Sequence, residues 1–116
     1  MNPYIKLLSD ETGKVHTIEL NYKYFSFNYL LNHLKKMPEF ELVKKDKWVL
    51  TDDYWVTFIY KEYEFNIESP FVDFLITRSK DCPDQIFNEL INHLDNYKPD
   101  IIVRLIHKIK DKFKRN

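Results

Sequence analysis

A single glycine, a single cysteine and no net charge are the first constraints on this 116-residue sequence. Glycine-rich loops that cradle phosphates need several glycines close together, so one glycine excludes both common forms of nucleotide loop. One cysteine excludes an internal disulfide and any site built from several thiolates, and nothing in the sequence points to an oxidising compartment. Eighteen basic residues balance eighteen acidic ones, which leaves no overall charge to draw the chain to nucleic acid or to a membrane surface. No apolar run approaches the roughly 20 residues needed to span a bilayer. The start, "MNPYIKLLSDETGK", lacks the basic and long apolar segments of a secretory signal, and a cytoplasmic location is the expectation. There is no solenoid-length repeat and no low-complexity linker, so residues 1–116 are expected to form a single globular domain.

What the chain does have is hydrophobic periodicity, 44% hydrophobic residues and an aromatic content of 16%. "YIKLL" and "KVHTIEL" flank "SDETGK", which holds Gly13, and predict a first hairpin. Phe27, Leu30, Leu31, Leu34 and Met37 fall on one helical face, with Lys35 and Lys36 near the C-terminal end and Pro38 as the stop. From Phe40 the period shortens to two. Tyr54, Val56, Phe58 and Tyr60 alternate with Trp55, Thr57, Ile59 and Lys61; both sets are largely apolar, which predicts a strand covered on both faces. Tyr63, Phe65 and Ile67 alternate with Glu62, Glu64, Asn66 and Glu68, the pattern of a strand with one wet, acidic face. The intervening "YKEY" has no glycine or asparagine for a tight turn, which leaves room for a longer loop or a bulge there. "FVDFLITR" reads as a further strand. Ile86, Phe87, Leu90, Ile91 and Leu94 mark a second helix, and a third is expected from Pro99, with an apolar stripe through Ile102, Leu105, Ile106, Ile109 and Phe113. Grouped strands and helices predict an α+β fold, an antiparallel sheet of about four to six strands with two to three helices packed against it. "LLNHL" at 30–34 is echoed by "LINHL" at 90–94, five residues of helix-favouring types that can also recur without common origin.

Few residues suggest catalysis. Cys82 precedes Pro83, which suits a first helical position, and a helix N-terminus can lower a thiol pKa. The simpler reading is a well-started helix, with Cys82 as a weak cap or Asp81 as the cap, and Asp84 and Gln85 in the first turn. His16, His33, His93 and His107 are scattered, without the spacing of a metal site; His33 and His93 flank apolar stripes and suit hydrogen bonding at the core edge. No catalytic residue, metal or cofactor is expected. The Glu62, Glu64 and Glu68 series lies on a strand's wet face, where carboxylates form a surface field rather than an acid–base pair.

Charge is unevenly distributed: about +2 over residues 1–51, about −7 over 52–95 and about +5 over 96–116. Arg104, Lys108, Lys112, Lys114 and Arg115 form a basic side or end to the expected last helix. They are the basis of the alternative reading, a nucleic-acid-binding or regulatory module, although lysines also favour helix C-termini for the dipole alone. The acidic middle interleaves carboxylates with aromatics: Asp52, Asp53, Tyr54, Trp55, Tyr60, Glu62, Tyr63, Glu64 and Glu68. Rigid aromatic area with carboxylates that steer a basic partner suits a protein that blocks a cationic enzyme. The plainer reading makes the aromatics core and the acids solubilising.

The stretch "YEFNIESPFVDFLITRSKDCPDQIFNELINHL", residues 63–94, resembles small immunity proteins of bacterial toxin–immunity systems, including contact-dependent growth inhibition. The shared pattern is an aromatic-rich strand, a second strand, and a "CP" pair opening a helix with a histidine near its end. The resemblance implies a cytoplasmic protein that binds and inactivates a specific cognate toxin domain, with no turnover of its own. The basic tail has no counterpart in that pattern.

Overall fold

The structure is a computed structural model that describes residues 3–21, 25–47, 54–69 and 73–97. Strands β1 (Ile5–Ser9) and β2 (Val15–Leu20) form the expected hairpin, turned at Gly13, whose φ of 86° is the conformation a glycine adopts without steric cost. Helix α1 (Phe27–Leu34) starts where the Ser26 hydroxyl accepts the Tyr29 amide, satisfying one of the donors a helix N-terminus leaves orphaned. It ends before Pro38: Lys35 is the C-cap, and Met37 is buried in the following turn. Strands β3 (Phe40–Lys47), β4 (Tyr54–Tyr60), β5 (Tyr63–Glu68) and β6 (Phe74–Arg78) then run as an antiparallel meander, and α2 (Asp84–Asp95) closes the described chain.

The six strands form one antiparallel sheet in the order β1-β2-β6-β5-β4-β3. The chain between β2 and β3 therefore crosses from one half of the sheet to its far edge, and α1 lies within that crossover. The meander returns strand by strand until β6 pairs with β2. The architecture is the expected α+β sheet with helices packed on it.

Register and period assign every side chain to a face. Ile18, Leu20, Val56, Phe58, Phe65, Ile67, Phe74 and Ile76 point to one side and are buried, together with Phe27, Leu30, Leu31 and Leu34 of α1 and Phe87, Leu90, Ile91 and Leu94 of α2. Both helices thus cover the same face. Phe40, Phe58, Phe65 and Phe87 form a ring series from the β3 edge to α2, at centroid separations of 5.1, 5.3 and 6.1 Å. The Arg78 guanidinium, 5.0 Å from the Phe87 centroid, closes it. Offset aromatic contacts of this kind add to area burial, and truncating a buried phenylalanine to alanine typically costs about 3–5 kcal/mol.

Three local features differ from the sequence reading. Among the described residues, the strand expected to be covered on both faces, β4, is covered on one: Val56, Phe58 and Tyr60 are buried, whereas Trp55 on the other side is 51% exposed. The apolar pattern of a strand does not separate coverage by its own helices from an exposed apolar surface. The β4–β5 connection is a tight two-residue turn, not a longer loop, with Lys61 and Glu62 both left-handed at φ 48° and 74°. Continuous pairing up to Tyr60 and Tyr63 forces that conformation on residues that do not favour it. Finally, Pro83 is the N-cap of α2 rather than its first residue, and it has no side chain to cap with.

Candidate functional site

The face of the sheet opposite the helices carries three rows in register. One runs Asp46, Trp55, Glu68, Leu75, Glu19, Lys6 across all six strands. The next runs Lys44, Thr57, Asn66, Thr77, Thr17, Leu8, and a short third holds Glu41, Ile59 and Glu64. Neighbouring strands lie about 4.8 Å apart, so directly opposed side chains touch. The middle row is tied by hydrogen bonds: the Thr57 hydroxyl donates to Asn66 Oδ1 at 3.0 Å, and the Thr17 and Thr77 hydroxyls lie 3.4 Å apart. That row stiffens the face.

Trp55 stands between Asp46 and Glu68, with Ile59 four residues along its own strand, beyond Thr57. Among the described residues, the β3–β5 half of the face has Glu41, Asp46, Glu64 and Glu68 against one cation, Lys44, which pairs with Asp46 at 3.3 Å. An indole with half its surface exposed and a carboxylate on the neighbouring strand to either side offers both contact area and charge complementarity to a cationic partner. The adjacent β3 edge is blunted by Lys44 and Lys45 and by a register shift between Leu42 and Lys44, which disfavours pairing with a further strand. The face, not the edge, is the presentable surface.

Not all residues singled out from sequence come together here. Trp55, Glu64 and Glu68 share the face. Tyr60 and Tyr63 point to the helix-covered side, where Tyr60 is buried and donates its hydroxyl to Glu89 Oε2 at 3.1 Å. Burial, and then the Glu89 carboxylate, hold the Tyr60 phenol above its ordinary pKa. Glu62 sits exposed in the turn. Asp52, Asp53 and the side chain of Tyr54 lie outside the described residues, as do Arg104, Lys108, Lys112, Lys114 and Arg115. The period-two alternation separated the two faces correctly within β5, but residue type alone grouped Tyr60 and Tyr63 with the acids. Glu41 and Asp46, distant in sequence, join the face only through the β3–β4 register.

Cys82 packs as a core residue. It is 2% exposed, and burial raises its thiol pKa, against the pull of Arg78. A reactive cysteine needs the opposite environment. His33 and His93 are not near it in role either: each ring bonds the other's backbone. Among the described residues no group of three or more His, Cys, Asp or Glu is placed to hold a metal ion, and no helix is long and apolar enough to cross a membrane.

Arg78 was not singled out by sequence, yet it organises the start of α2. Its guanidinium donates to Asp84 Oδ1 at 2.7 Å, to the Cys82 carbonyl, and to the Val15 carbonyl at 3.4 Å, with its side chain 6% exposed. The Arg78 hydrogen bond holds the Asp84 carboxyl below its usual pKa. Where Pro83 leaves α2 without a side-chain cap, Asp84 in the first turn and its arginine anchor the helix instead. A lone arginine at a strand end gives no sequence signal of this.

Among the described residues, these features define an α+β domain with one helix-covered sheet face and one open, aromatic and acidic face. No family model, curated protein or solved structure matches the chain.

Proposed function

We propose that the chain is an immunity protein, which neutralises a cognate bacterial toxin domain by stoichiometric association through the open face of its sheet. The observation that supports this reading most directly is the placement of Trp55 between Asp46 and Glu68, with Glu41 and Glu64 flanking Ile59 beyond the intervening Thr57 row. The partner is a basic protein domain, and the chain acts by occlusion, with no turnover and no cofactor. The resemblance of residues 63–94 to immunity proteins points the same way. The same reading implies a cytoplasmic protein, which would meet a toxin domain that has entered the cell.

Burying the exposed half of the Trp55 indole stabilises a complex by about 2–3 kcal/mol, or roughly 30- to 150-fold in Kd. The carboxylates act chiefly on association rate. The test begins with capture from the native cell, followed by expression of the captured partner alone and with this chain. The partner alone should arrest growth, and co-expression should rescue it at one-to-one stoichiometry. Trp55→Ala should raise Kd at least about 30-fold. Glu64→Lys with Glu68→Lys should slow association and weaken its salt dependence. A captured partner that is harmless to the cell refutes neutralisation, and unchanged binding in both variants removes the open face from the interface.

A further inference from the structure

The two echoed segments meet. His33, near the C-terminal end of α1, and His93, near that of α2, stack with ring centroids 4.1 Å apart and planes inclined by 21°. Each Nε2 lies 2.6 Å from the backbone carbonyl oxygen of the other: His33 Nε2 from His93 O, and His93 Nε2 from His33 O. A carbonyl only accepts, so each Nε2 must carry its hydrogen. The neutral tautomer of both rings is thereby set, with Nδ1 free of a proton. Around them, Leu30, Leu34, Leu90 and Leu94 are fully buried, and Tyr97 meets the His33 ring edge-on at 5.2 Å while stacking on Phe25 at 4.3 Å.

We propose that this reciprocal histidine pair is a pH-sensitive clasp: with both rings neutral it joins the C-terminal ends of α1 and α2, and protonation of both rings loosens that junction. Adding a proton to each Nδ1 leaves the two Nε2–H donors in place but sets two cations face to face at 4.1 Å. The groups acting on His33 reinforce this. Lys36, just past α1, adds a third positive charge, Tyr97 contributes a neutral ring, and no carboxylate acts on His33 among the described residues. Burial, foremost, holds His33 below its ordinary pKa, opposed by its bond to the His93 carbonyl. The helix C-termini favour a cation, which accommodates one charge more readily than two stacked ones.

The sign follows from linkage. A histidine whose folded pKa is depressed below the unfolded value of about 6.5 contributes stability that is full above pH 6.5 and is lost as pH falls through and below it. The clasp is independent of what the open face binds, since it lies on the opposite side of the sheet.

The experiment is urea unfolding at pH 7.5, 6.5 and 5.5 for the wild type, His33→Gln, His93→Gln and the double variant, because glutamine keeps a donor for the carbonyl but does not titrate. His16→Gln serves as a control for an exposed ring. The wild type should lose folding equilibrium constant on going to pH 5.5, with about tenfold as the upper limit that a fully neutral His33 ring would set. The double variant should lose most of that dependence, and His16→Gln should retain it. Imidazole nitrogen NMR of the wild type should show both rings as the Nε2–H tautomer at pH 7.5. This readout stands even where a variant fails to fold. Equal pH dependence in the wild type and the double variant, or an Nδ1–H tautomer in either ring at pH 7.5, overturns the proposal.

Discussion

Replacing Glu62 with glycine should make the protein more stable, although it deletes a whole side chain. In the β4–β5 turn Lys61 and Glu62 have φ of 48° and 74°, and neither is a residue that enters the left-handed region readily. For an L-residue with a Cβ, that region costs about 1–2 kcal/mol relative to the right-handed one. Glycine removes the steric cost and returns part of it through the greater freedom of the unfolded chain, which leaves a net gain of roughly 1 kcal/mol. Glu62 is exposed, so little packing is given up. Lys61 provides the internal comparison. Its ammonium pairs with Glu89 at 3.0 Å and lies 5.6 Å from the Tyr60 ring centroid, so Lys61→Gly relieves similar strain while losing two contacts. Thermal unfolding followed by circular dichroism should show Glu62→Gly melting about 4 °C higher, with Lys61→Gly gaining less. A Glu62→Gly melting point at or below that of the wild type would refute the strain assigned to this turn.

Two further outcomes follow from the arginine at the head of α2. Arg78→Ala should destabilise the fold by about 2–3 kcal/mol in urea titrations, since it leaves the carbonyls of Cys82 and Val15 without their donor and uncovers the Phe87 ring. Arg78→Lys should recover only part of this, because a single ammonium cannot span the same acceptors. Cys82, buried and with its thiol pKa raised chiefly by burial, should react with an alkylating agent at pH 7.5 far more slowly than free cysteine. Fast labelling of the native protein would show that the start of α2 opens readily.

The sequence by itself determined the α+β class and the order of the elements. Hydrophobic period carries that information locally: two in "YEFNIE", between three and four in "DQIFNELINHLD", with Gly13 marking the first turn. It also separated the wet, acidic side of β5 from its buried side, because alternation within a single strand is a local property. What it left undecided depends on neighbours that are remote in the chain. The "YWVTFIY" pattern is apolar on both sides, and only the sheet order and the placement of both helices on one face leave Trp55 exposed. Strand register sets Asp46 beside Trp55 and Glu41 beside Ile59, each in line with a β5 acid, and the same register carries Tyr60 to the other face. The repeated "NHL" segments were visible as an echo, but their reciprocal bonds join residues 60 positions apart and exist only where α1 and α2 cross. Arg78 is the clearest case. Its partners in β2, in the loop before α2 and in the first turn of α2 converge on it only once β6 has paired with β2, and it is that convergence which makes a buried charge affordable.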